Sequence, residues 1–117
     1  MNTHKDLNVW QMSMDLVESI YVLTRTFPKE EMYGLTSQMR RSAISIPSNI
    51  AEGAARKGDK EYIRFLYIAL GSLSELETQI LIAQRLTYLN HNELINQIAH
   101  IGKMLINLIK FRKSKIV

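Results

Sequence analysis

The sequence predicts an all-α fold: an antiparallel, up-and-down four-helix bundle whose second helix is kinked at a proline. Three observations carry this. Apolar residues recur three and four apart from end to end, no stretch alternates with the period of a strand, and short polar breaks divide the pattern into four amphipathic segments. A chain of 117 residues holds one domain with a single core, here with a short basic C-terminal tail. Hydrophobic residues at 46% and charged residues at 22% are the proportions of a folded protein.

In the first segment Leu7, Trp10, Met14, Val17, Tyr21 and Thr24 draw one stripe, which stops at Phe27-Pro28 because proline disfavours helical backbone in the residue before it. The second segment starts near Leu35, sets Met39, Ala43, Ile46, Ile50 and Gly53 on one face, and ends in the polar turn Arg56-Lys57-Gly58. Asp59 is placed to cap the third helix, its carboxylate accepting the orphan amide hydrogens of the first turn. That helix carries Leu66, Ala69, Leu73, Leu76, Ile80 and Ala83 in heptad rhythm. After a break over residues 87–92, Asn90 and Glu93 have the spacing of a capping box, and the fourth helix presents Leu94, Ile98, Ile101, Leu105 and Leu108.

Helices three and four also carry apolar residues off these stripes: Ile63, Tyr67, Leu70 and Ile82 on one, Ile95, Ala99, Ile106 and Ile109 on the other. A helix apolar on more than one face is usually covered twice, so these residues predict a homo-oligomer, with one wide core stripe as the alternative.

The second helix is the awkward one. Pro47 cannot donate the hydrogen bond that the Ala43 carbonyl expects, at a cost of about 3 kcal/mol in helix propensity. The chain either kinks and continues or restarts with Ser45 or Ser48 as a new cap; the unbroken apolar phase through Ile46, Ile50 and Gly53 favours the kink. Ser42, Ala43, Ser45, Ser48, Ala51, Gly53, Ala54 and Ala55 are all small, which lets another backbone come close. Glu52 precedes Arg56 by one helical turn, the favourable orientation for an ion pair.

Several chemistries are excluded or unsupported. With no cysteine there is no disulfide, thiolate metal site or cysteine nucleophile, which fits a reducing, cytoplasmic setting. The N-terminal stretch lacks the apolar run of a signal peptide, and no uncharged segment is long enough for a membrane span, the best candidate being interrupted by Glu75 and Glu77. A di-metal carboxylate site needs Glu-x-x-His motifs, and none occurs; His4, His91 and His100 are scattered. The stretch GAARKGDK has Asp59 where a phosphate loop needs lysine, and no strand precedes it. The serines near position 45 have no histidine close in sequence to act as a base, and Met12, Met14 and Met39 read as core filling. No enzyme activity, metal or cofactor is expected.

What remains is positive charge, +4 net with a pI near 9.5. Arg40 and Arg41 sit on the second helix, Arg56, Lys57, Lys60 and Arg64 bracket the next turn, and Lys110, Arg112, Lys113 and Lys115 end a segment without acids. Gathered on one face, these cations could hold a phosphate backbone; the competing reading is solvated charge and salt bridges between subunits. Few aromatic residues interleave with them in the sequence, so phosphate contacts rather than base stacking are expected.

The stretches DLNVWQMSMDL at residues 6–16, FPKEEMYGLTSQMRRSAISIPSNIAEG at 27–53 and FLYIALGSLSELETQI at 65–80 resemble the bacterial four-helix-bundle proteins first noticed as reading frames within intervening sequences of 23S ribosomal RNA genes. The last helix and tail match only in character. That family is similar in fold to the accessory protein of diversity-generating retroelements, a pentameric basic bundle that binds nucleic acid and works with a reverse transcriptase. The resemblance implies a barrel-like homopentamer, with Pro47, Asn49 and Glu52 serving architecture and the arginines serving RNA or DNA. It does not establish a role with a reverse transcriptase, since intervening-sequence proteins are found apart from one. Two functional readings follow: an oligomer that binds RNA or DNA non-specifically, or an oligomeric scaffold that docks a protein partner.

Overall fold

The computed structural model describes residues 3–90 and 93–116. Four α-helices account for most of them: α1 (Asn8–Thr24), α2 (Leu35–Ala55), α3 (Asp59–Arg85) and α4 (Glu93–Lys113). Short 3-10 turns at His4–Asp6 and Lys29–Glu31 precede α1 and α2, and no strand occurs among the described residues. The molecule is a rod of 50 × 21 × 21 Å. Contacting pairs count upward on one helix and downward on the next: Thr24 meets Arg40, Ser45 meets Ser72 while Gly53 meets Tyr62, and Gly102 lies against Leu73 while Arg112 reaches Asp59.

The predicted stripes of α2 and α3 are buried in full, from Met39 to Gly53 and from Leu66 to Ala83. On α4 Ile98, Ile101 and Leu105 are buried, and Leu94 and Leu108 pack against the core from its edge. The stripe on α1 is turned from the one predicted. Its buried face is Val9, Ser13, Leu16, Ile20 and Thr24, while Trp10 and Val17 flank the core and Met14 is 43% exposed. Ser13 and Thr24 can occupy core positions because each hydroxyl donates to the carbonyl one turn back, to Val9 and Ile20, both at 2.7 Å. Their polarity is satisfied within the helix; the predicted stripe included Thr24 but missed Ser13.

Helix α2 is continuous through Pro47, which is itself buried, and it does not restart at either serine. Its small residues do bring a backbone close. A Cβ added at Gly53 would lie 2.8 Å from Phe65 Cβ and 3.2 Å from the Tyr62 carbonyl oxygen. The Ser45 and Ser72 hydroxyls, 2.8 Å apart, share a hydrogen bond across the same interface, and Asn49 Nδ2 donates to Ser45 Oγ.

One cap differs from the expected one. Gly58, with φ of 87°, takes the position before α3 and gives no side-chain cap, so Asp59 is the first helical residue rather than the cap. A left-handed backbone at that point is why glycine stands there. Helix α2 is instead capped from a distance: Glu31 Oε1 accepts from the Leu35 amide, and Glu31 Oε2 accepts from the Tyr88 hydroxyl beyond α3. The Asn90–Glu93 capping box involves a start of α4 whose preceding residues, His91 and Asn92, lie outside the described ones.

The second apolar faces are partly core. Ile63 and Ile109 are buried, and Leu70 and Ile95 pack against the core cluster. Tyr67, Ile82 and Ile106 remain between 42% and 47% exposed. Helix α3 is long and apolar enough to cross a membrane by length and composition, despite Glu75 and Glu77. Its apolar stripe is already covered within the bundle, with Leu66, Ala69, Leu76, Ile80 and Ala83 wholly inaccessible.

Candidate nucleic-acid interface

The end of α2, the start of α3 and the end of α4 meet at one pole of the rod. That junction gathers Arg56, Lys57, Lys60, Arg64, Lys110, Arg112, Lys113 and Lys115. Arg40 and Arg41 are not part of it: at 1.5 Å per residue, Arg40 is about 24 Å along α2 from Arg56. Arg40 is also committed elsewhere. Its Nε donates to Thr24 Oγ1 at 2.9 Å and its guanidinium lies 4.5 Å from the Tyr21 ring centre, tying α1 to α2. Arg41 is exposed on the same stretch of helix.

The fixed point of the pole is Arg112. Nη1 donates to Asp59 Oδ1 at 3.2 Å, joining the last turn of α4 to the first residue of α3. The carboxylate thus serves a cross-helix ion pair and also complements the positive end of the α3 dipole. The Arg112 guanidinium lies 4.5 Å from the Tyr62 ring centre and 5.7 Å from that of Phe111. Burial pushes the Tyr62 phenol above its usual pKa, and the neighbouring Arg112 charge opposes that shift.

Two more arginines share one ring. Arg56 and Arg64 sit over Phe65 at 5.0 and 4.5 Å from its centre. Each is held by a carboxylate on its own helix, Arg56 by Glu52 at 2.8 Å, as the sequence spacing predicted, and Arg64 by Glu61 at 3.0 Å. The hydrogen bond from Arg64 draws the Glu61 carboxyl below the usual carboxylate range, and the same bond raises Arg64. Lys113 Nζ donates to the Tyr67 hydroxyl at 2.9 Å, and Lys115 lies 4.8 Å from the centre of the Phe111 ring. Lys57, Lys60 and Lys110 are exposed, with no ion-pair partner among the described residues.

This corrects the expectation of little aromatic interleaving. Tyr62, Phe65, Tyr67 and Phe111 alternate with the cations in space, and Phe65 and Phe111 also stand beside Arg64 and Arg112 in the sequence. Only the cross-helix pairs were hidden by distance along the chain: Lys113 and Tyr67 are 46 residues apart, Arg112 and Asp59 53 apart. Among the described residues no group of three or more histidine, aspartate or glutamate side chains is placed to hold a metal ion. His4 stacks edge-on against Trp10, and His100 is exposed on α4.

A mostly apolar groove of about 310 Å³ lies between α1 and α2, away from this pole. Trp10, Met14, Val17, Ile44, Pro47 and Ala51 line it.

Comparison with known proteins agrees with the fold. The family described as 23S rRNA-intervening sequence protein matches residues 5–107. A crystal structure at 1.70 Å resolution, of a protein with unknown function from the S23 ribosomal protein family of Bacteroides thetaiotaomicron VPI-5482, is similar with a TM-score of 0.79 and 27% sequence identity. The similarity covers 87% of this chain and 95% of that one. No curated protein matches the chain.

Proposed function

The chain belongs to the 23S rRNA-intervening sequence protein family, and on that premise we propose that it is a cytoplasmic, non-enzymatic homo-oligomer, a pentamer, that holds RNA or DNA non-specifically by the phosphate backbone. The observation that supports this reading is the gathering of eight cations at one pole, from the α2–α3 turn, the start of α3 and the end of α4 with the residues after it, where Glu52, Asp59 and Glu61 engage only the arginines. The lysines beside them keep their charge for a ligand. A polyanion neutralised at such a surface releases its counterions, so affinity depends on charge density rather than sequence. Oligomerisation repeats the pole on each subunit and multiplies its effect. The half-exposed Tyr67, Ile82 and Ile106 on α3 and α4 are the apolar surface that assembly would cover.

The test is binding of unrelated RNA and DNA sequences over a salt series. Affinity is expected to fall steeply with salt, and each lost contact to lower the log–log slope by about 0.9 on duplex DNA and about 0.7 on single strands. Replacing Arg56 and Lys57 together by alanine should weaken binding by the same factor on every sequence, because phosphate contacts carry no base information. Failure of the wild-type protein to bind either nucleic acid at low salt would sink the reading.

The alternative, a scaffold docking a protein partner, has one observation in its favour. The α1–α2 groove is apolar and leaves Met14 and Ile44 more than two-fifths exposed, at 43% and 42%. A partner that binds there would be released by Ile44→Glu, whereas nucleic-acid binding at the pole would not respond.

A further inference from the structure

The chemistry of the pole goes beyond positive charge. Phe111, in the last turn of α4, is 52% exposed between two cations, Arg112 at 5.7 Å and Lys115 at 4.8 Å from its ring centre. A large aromatic side chain in that setting gains nothing from the core. Arg56 and Arg64 form a second cluster of exposed guanidinium groups. Their guanidinium groups lie over the Phe65 ring, which is itself 94% covered, and their side chains remain 47% and 57% exposed. Each guanidinium therefore has the ring on one side while its side chain stays open to solvent, and Glu52 and Glu61 hold it there. Exposed aromatic and guanidinium planes set among lysines match what unpaired bases require: a flat surface to stack on and a cation within reach of the adjoining phosphate.

We infer that the basic pole binds single-stranded nucleic acid in preference to duplex, stacking bases on Phe111 and on the outer faces of Arg56 and Arg64 while Lys57, Lys60 and Lys115 hold phosphates. This rests on the phosphate-binding reading above and adds the strandedness of the ligand. A duplex keeps its base faces inside its own stack, so it can use the lysines but not the planes. Phosphate contacts alone would favour the duplex, which carries the higher charge density. The two contributions thus pull in opposite directions, and their ratio can be measured.

The experiment compares the full-length protein's affinity for a labelled oligouridine and for a blunt RNA duplex of equal length at one salt concentration. Tighter binding of the single strand is expected. Phe111→Ala should weaken single-strand binding about tenfold, as loss of one stacked base implies, leave the single-strand salt slope unchanged and leave duplex binding unaltered. Phe111→Trp should restore the affinity. Because Phe111 is exposed, an unchanged unfolding midpoint will show that Phe111→Ala still folds. Single-strand affinity unaffected by Phe111→Ala, or duplex bound more tightly than single strand by the wild type, overturns this inference and leaves phosphate binding standing. Binding of neither overturns both.

Discussion

Helices α2 and α3 meet closely through small residues and hydroxyls, whereas α1 and α4 meet along a partly open seam. In the first contact Gly53 lies against Tyr62 and Phe65, Ser45 and Ser72 share a hydrogen bond, and no more extensive helix interface exists in the bundle. In the second, Glu18, Val22 and Leu23 face Glu93, Leu94 and Gln97 across about 390 Å³ of space. The difference teaches where this sequence places its specificity. Longer side chains, two of them glutamates, line the seam and leave space between the helices. Small residues bring two backbones together and make the fit intolerant of a single added carbon.

Gly53→Ala breaks the close contact most directly. On an isolated helix alanine would be favoured by about 0.8–1.0 kcal/mol. Here its methyl meets backbone and Phe65 Cβ below van der Waals distance, so a net destabilisation of about 1–3 kcal/mol is expected from overpacking. Denaturant unfolding with an unchanged m-value checks it, and a stabilised variant would show that the α2–α3 seam yields. Leu94→Ala tests the open seam. Leu94 is only half-buried there, so its loss should cost about 1 kcal/mol, less than the 1.5–3 kcal/mol of a fully buried leucine. A cost equal to that of a core leucine would mean that the seam is closed in solution. The smallest effect has the opposite sign. Gly71 lies on the outer face of α3 with open space around a Cβ, and Gly71→Ala should stabilise the protein by about 0.5–1 kcal/mol. Destabilisation, with a change in sedimentation, would show that another subunit covers that face.

The same contrast explains what was legible in the sequence. The stripes of α2 and α3 could be placed because the positions facing the core are apolar or small, with Gln79 on α3 the exception. On α1 the pattern misled, because Ser13 faces the core with its hydroxyl bonded to its own helix, although Thr24, buried in the same way, stood on the predicted stripe. Asp59 has the chemistry of a cap, yet the glycine before it takes that position and frees the carboxylate for Arg112. The basic residues were visible as a list, but their partition was not. Arg40 resembles Arg56 in the sequence, and only folding shows that one links two helices while the other sits at the pole. Aromatic partners more than 40 residues away leave no local trace: Tyr67 lies 46 residues from Lys113.

The stacked cations also shift a cost between two processes. A long basic side chain loses up to about 2 kcal/mol of rotamer freedom when it is immobilised, and a flexible cation loses it when it meets a phosphate. Arg56, Arg64 and Arg112 have surrendered much of that freedom before any ligand arrives, because a ring and a carboxylate already hold each of them. The entropy is lost during folding, where burial of the core offsets it, and not during association. Lys57, Lys60 and Lys110 have no such anchors and still carry their disorder. The pole therefore combines preorganised arginines, which set its shape, with mobile lysines, which can follow a backbone of variable path.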